Sequence, residues 1–124
     1  MKKILLSCCI LALVAGMAQA QAADAVANVA VCKAFVSRWS GDWPYVGRMW
    51  LDVMKVGSDC SAQYSYQSDS GVPTRSSTAQ IVGDTLAFPC NRGKGTCSFT
   101  LHGDRLWANY KGEPGPNHTV FDKN

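Results

Sequence analysis

"IVGDTLAFPCNRGKGTCSFTLHGDRLWANY", Ile81 to Tyr110, contains two Gly-Asp pairs, each flanked by residues that alternate between apolar and polar. Glycine at the first position of a two-residue loop supplies the positive φ that a type II′ hairpin turn requires. Val82-Gly83-Asp84-Thr85 and His102-Gly103-Asp104-Arg105 therefore predict two tight hairpins. The first sets Ile81 opposite Leu86 and Ala79 opposite Phe88. The second sets Leu101 opposite Leu106 and Phe99 opposite Ala108. Every one of these residues falls on one face, as a sheet with a single buried side demands.

A third Gly-led turn, Val56-Gly57-Ser58-Asp59, extends the pattern upstream. It pairs Val53 with Ala62, Leu51 with Tyr64 and Met49 with Tyr66. Between Phe88 and Phe99 the same logic sets Leu86 against Leu101 and Cys90 against Cys97. Directly opposed residues on antiparallel strands have Cβ atoms about 4.5–5.5 Å apart, near enough for a disulfide after local adjustment. Cys90–Cys97 should close the loop Asn91–Thr96, which leaves Cys32 to bridge Cys60. By loop-closure entropy the two bridges contribute ~2.5 and ~3.5 kcal/mol.

Upstream the period changes. From Asp24 to about Trp39, Ala25, Val29, Cys32, Val36 and Trp39 recur at three- and four-residue intervals, the stripe of an amphipathic helix. Asp24 is the expected N-cap and Gly41 the stop. The fold predicted is mainly β: an N-terminal helix packed on a six- to seven-stranded antiparallel meander or small barrel. The strands read as 46–56, 59–67, 76–82, 85–90, 97–102 and 105–111, with His118–Phe121 as an optional seventh.

The first twenty residues read as a leader. Lys2 and Lys3 precede an uncharged apolar run from Ile4 to Ala15, and Ala18-Gln19-Ala20 is a signal-peptidase pattern. The run is shorter than the roughly 20 residues a spanning helix needs. Cleavage is expected after Ala20, placing the mature chain in the periplasm or outside the cell as one β domain, 21–124, with no transmembrane segment. An exported chain with four remaining cysteines suits two disulfides. No C-x-x-C pair suggests a metal, and no motif suggests a cofactor.

Charge excludes one class of partner. The formal +3 includes Lys2 and Lys3; without them ten basic residues face nine acidic ones, a net of about +1. The basic residues are scattered rather than gathered on one face, so nucleic acid is not an expected partner.

The catalytic inventory is thin. There is one glutamate, Glu113, two histidines, and no G-x-S-x-G, H-E-x-x-H or phosphate-loop motif. His102 beside Asp104, or a pairing among Asp42, Asp52 and Asp59, would be needed for a small hydrolase, and turn formation explains Asp42 and Asp59 more simply. The expectation is a non-enzymatic binding protein. Under the registers above Tyr64 and Tyr66 point inward, while Trp50 and Trp107 point outward beside Arg48 and Arg105. Those four residues are the candidate contacts for a partner protein, a glycan or a lipid. An inhibitor, an immunity-type factor or a structural accessory of the envelope is the alternative.

A helix running into "FVSRWSGDW" (35–43), followed by "LDVMKV" (51–56) and a meander of short hairpins, resembles the small calycin or lipocalin-like domains of exported bacterial proteins. In that pattern a Gly-x-Trp near the first strand closes the barrel base. The resemblance implies that role for Gly41 and Trp43, with Leu51 and Val53 as the next inward positions. Members of that family usually have eight strands and a final helix, whereas this chain reads as six or seven strands without one.

Overall fold

The computed structural model describes residues 29–71 and 75–124. A short helix, α1 (29–33), leads into eight antiparallel strands: β1 (Ser37–Trp43), β2 (Gly47–Val56), β3 (Ser61–Gln67), β4 (Ser77–Val82), β5 (Thr85–Cys90), β6 (Gly95–His102), β7 (Arg105–Gly112) and β8 (Asn117–Lys123). Each pairs with its sequence neighbours, and β8 returns to β1 to close a barrel. An eight-stranded barrel has an interior just wide enough to be filled by side chains or to hold one small ligand.

The predicted helix is too long by several residues. It gives way at Ala34–Phe35 to i→i+3 hydrogen bonds, such as Phe35 N to Cys32 O, and β1 begins at Ser37. From there Trp39, Gly41 and Trp43 are buried and Arg38 and Asp42 look outward, a period of two. Trp39 keeps its expected core place, but from a strand: it is fully buried and its indole N–H donates to Phe35 O at 2.9 Å. The expected N-cap, Asp24, and residues 24–28 lie outside the described residues, as does the leader. β1 and a full β8 raise the strand count to eight.

The two Gly-Asp hairpins form in the expected register. Ile81 pairs with Leu86, Leu101 with Leu106 and Phe99 with Ala108, and Gly83 and Gly103 both have φ 63°. The β4–β5 ladder stops after Ile81 and Val82, so Ala79 does not pair with Phe88.

The other two registers are corrected by two residues. In the first hairpin Val53 pairs with Tyr64 and Leu51 with Tyr66. Its turn spans Gly57–Cys60, closed by Cys60 N to Gly57 O, with Cys60 rather than Gly57 at positive φ. A bulge between Val53 and Lys55 leaves Met54 and Lys55 both exposed before Val56 turns back inward. In the β5–β6 hairpin Phe88 pairs with Cys97 and Cys90 with Gly95. Positive φ at Asn91, Arg92 and Gly93 tightens the loop to four residues. The disulfides are nevertheless Cys90–Cys97 and Cys32–Cys60, with Cα separations of 5.8 and 5.5 Å. Cys90–Cys97 is therefore a diagonal bridge, still inside the range a disulfide spans. Both slips are even-numbered, so the same residues face inward and the core composition is unchanged.

The core has two ends. Phe35, Trp39 and the Cys32–Cys60 bridge plug the end where α1 meets the turns after β2, β4 and β6. Complete burial of a large apolar side chain of this kind contributes about 1.5–3 kcal/mol. Toward the other end an aromatic column runs from Tyr64, stacked on Phe88 at 4.2 Å, through Phe99 to Phe121 at 5.1 Å. Gly41 lies against this column, and a Cβ there would run into the Phe121 ring. Trp43 meets Phe121 edge-on at 6.0 Å. The Gly-x-Trp pair thus belongs to the end opposite the helix, and the base is closed by Phe35 and Trp39 instead.

Candidate functional site

The four residues expected to form an outer-face site are divided between two patches. Trp50 and Arg48 lie on β2, Trp107 and Arg105 on β7, with β1 and β8 between them. One row of paired residues runs Arg105, Asp122, Ser40, Trp50. Three strand spacings separate its ends, roughly 14 Å along the wall.

Both arginines already have carboxylate partners. Arg105 Nε donates to Asp122 Oδ1 at 2.7 Å, and Arg48 donates to Asp42 Oδ2 at 2.7 Å and to Ser40 Oγ at 2.8 Å. The Arg105 guanidinium beside Asp122 holds that carboxyl below the usual carboxylate range.

Trp50 is half-buried, because the Arg38 guanidinium lies 4.4 Å above its ring. Arg38 also reaches Asp52, at 3.3 Å from Nε to Oδ1, and its Nη2 donates to the backbone carbonyls of Ser70 and Gly71. Ser70 and Gly71 are thereby tied to the outer wall beside Trp50. Asp52 is buried, yet among the described residues its Oδ2 has no hydrogen-bond partner and Arg38 Nε has no aligned one. Trp107 remains 53% exposed and stacks on His102 at 3.8 Å.

The residues suggested for hydrolysis do not converge. His102 is committed to the Trp107 ring, Asp42 to Arg48 and Asp52 to Arg38. Asp59 accepts from both the backbone N–H and the hydroxyl of Ser61, and those bonds hold its carboxyl below the usual range. Among the described residues, no three His, Cys, Asp or Glu side chains cluster as a metal site.

Sequence reading missed a cavity of about 520 Å³ at the barrel end opposite α1. Its wall includes Trp43, Met49, Tyr66, Tyr110 and the Cys90–Cys97 bridge; the loops carrying Pro44–Val46 and Pro114–Asn117 form its rim. Among the described residues, no carboxylate, lysine, arginine or histidine lines it. The volume falls within the range of small-molecule sites, which are mostly apolar with a few placed polar groups.

Those polar groups are ordered by one another. The Trp43 indole N–H donates to Tyr66 OH at 2.7 Å. Burial pushes the Tyr66 phenol up to about 12, and the bond from Trp43 only partly offsets that rise. Tyr66 therefore keeps its proton at neutral pH and can donate it to a ligand. Tyr110 OH donates to Glu113 O, while Asn91 Nδ2 donates to both Tyr110 OH and Glu113 O at 3.0 Å. Asn117 Nδ2 donates to Pro44 O at 2.8 Å and ties the two rim loops together.

The signal for this site lay in the inward alternation of Met49, Tyr66 and Tyr110 and in the proline-rich loops. Its depth was not legible, because only barrel closure gathers these residues. Tyr45, at 106% exposure, and Val46, at 70%, project from the β1–β2 rim loop. Among the described residues no helix is long and apolar enough to cross a membrane. The closed eight-stranded antiparallel barrel is compatible with a lipocalin-like fold. No family model, curated protein or solved structure matches this chain.

Proposed function

We propose that this chain is an exported, non-enzymatic binding protein of the periplasm or extracellular space, and that its ligand occupies the mouth cavity. The observation that carries the reading is the uncharged, aromatic-walled volume of about 520 Å³ at the barrel end opposite α1. Its chemistry suits an apolar body with one hydrogen-bonding group for Tyr66. Two disulfides support an oxidising compartment. An outer wall bearing Arg38, Asp42, Arg48 and Asp122 around an apolar interior suits a barrel surrounded by water, the reverse of a membrane-spanning one.

Titration with N-phenyl-1-naphthylamine, a neutral apolar fluorophore, tests the site. One saturable site is expected, removed by Met49→Trp, which fills the cavity. Absence of saturable binding to the wild-type protein overturns the reading.

Trp107 favours a second reading, in which a protein or glycan partner docks on the outer wall and the chain acts as an inhibitor or accessory factor. Because Trp50 is covered by Arg38, Trp107→Ala alone is the informative variant. Loss of partner capture with unchanged fluorophore binding would favour this second reading.

A further inference from the structure

The barrel wall has an incomplete seam. β3 pairs with β4 only up to Tyr64 and Ser77, and β4 pairs with β5 only at Ile81 and Val82. Among the described residues, Ala87–Cys90 of β5 therefore have no paired partner on their β4 side. Pro89, which has no N–H to offer, sits in that stretch, a position suited to an unpaired edge.

A second cavity of about 470 Å³ fills this opening. Its floor is the Tyr64–Phe88 stack. Met49, Tyr66, Cys90 and Asn91 line both this slot and the mouth cavity, so the two spaces adjoin inside the barrel. Among the described residues Arg75, at the approach to β4, is the only charged side chain lining either. It is exposed and makes no ion pair or hydrogen bond with the described residues. Arg38, Arg48 and Arg105, by contrast, are each held by an aspartate.

A guanidinium with no ion pair among the described residues, beside an uncharged aromatic cavity, complements an anionic head group on an apolar body. We infer that the β4–β5 slot is the portal and head-group site for a medium-chain carboxylate, its alkyl body on the Tyr64–Phe88 stack and in the mouth cavity, its carboxylate on Arg75. Guanidinium and carboxylate match as a planar two-point pair. This assignment rests on the cavity reading above and adds to it a charge preference and a side entrance.

The test uses three ligands of equal chain length: sodium decanoate, 1-decanol and decyltrimethylammonium bromide, titrated calorimetrically at neutral pH and low salt. Decanoate should bind about three- to tenfold more tightly than decanol, the range expected of one partly solvated charged pair. The cationic analogue should bind most weakly. In Arg75→Gln that preference should vanish, and added salt should erode it in the wild type only. Equal affinity for decanoate and decanol, or a preference that survives Arg75→Gln, overturns the portal assignment and leaves the cavity reading intact. Failure of all three ligands to bind overturns both.

Discussion

The indole of Trp43 on β1 donates its N–H to the phenol oxygen of Tyr66 on β3, 2.7 Å away, across the mouth of the barrel. The bond joins two strands that are not neighbours and sets the orientation of both rings around the cavity. Tyr66→Phe keeps the ring but strands the indole N–H. Chemical denaturation should show a loss of about 1–2 kcal/mol, the cost of an unsatisfied buried donor. Trp43→Phe should cost more, since it also removes ring area from the contact with Phe121. The double variant should fall short of the sum, because the two changes remove one shared bond.

The same phenol predicts alkaline behaviour. Its folded value of about 12 lies above the ~10 of a free phenol. Its stabilisation is therefore complete below pH ~10 and is lost as pH rises through ~12. The phenolate absorbance of the folded protein should show a step near 12 that disappears in Tyr66→Phe. Ionisation of that residue near 10 would contradict the buried, hydrogen-bonded phenol.

Gly41 is a packing position rather than a turn. Gly41→Ala should destabilise the barrel by about 1–3 kcal/mol, since the new methyl enters space held by Phe121 and the flanking backbone. Shrinking the neighbour should relieve part of this. Phe121→Leu should cost less in the Gly41→Ala background than alone, and equal costs in both backgrounds would mean the two sites are uncoupled.

Arg38 and Arg105 offer a contrast between covered and open ion pairs. Arg38→Ala leaves the Asp52 carboxylate buried without its counter-charge and should cost about 2 kcal/mol, below a sealed pair because Arg38 is partly open to water. It should also uncover Trp50 and shift tryptophan emission to the red. Arg105→Ala breaks a fully exposed pair and should leave the melting temperature nearly unchanged. The Asp122 carboxyl, held below its ordinary value by Arg105, adds its small stabilisation above pH ~4 and loses it as pH falls through the depressed value.

Local chemistry explains which features were legible in the chain. Gly83 and Gly103 each determine a turn within four residues, so their hairpins followed from the sequence alone. Cys60 and Arg92 adopt positive φ without being glycine, and nothing in their identity announces it. The bulge after Val53 likewise has no local marker, which is why the first register slipped. Trp39 was misplaced because its spacing from Val36 suits a helix, while Trp39, Gly41 and Trp43 suit a strand equally well. Barrel closure decided between them, because β8 needed a partner. The disulfides survived the register error because a diagonal pair and a direct pair both lie within reach. Coverage of Trp50 turns on a non-local point: Arg38, thirty-two residues from Ser70 in sequence, folds over its ring.

The seam between β1 and β8 couples the ends of the described chain through only two paired positions, Trp39 with Lys123 and Ser40 with Asp122. Asn124 reinforces it, its N–H reaching Arg38 O at 2.9 Å and its side chain Ser40 Oγ at 2.7 Å. A contact of this span is among the last that a growing chain can make, since its loop-closure entropy is offset only when both strands are present. Until residues 117–124 have emerged, β1 remains an open edge carrying the most deeply buried tryptophan of the native state. Residence time in that unclosed form, rather than the equilibrium stability of the finished barrel, then sets its exposure to aggregation and proteolysis.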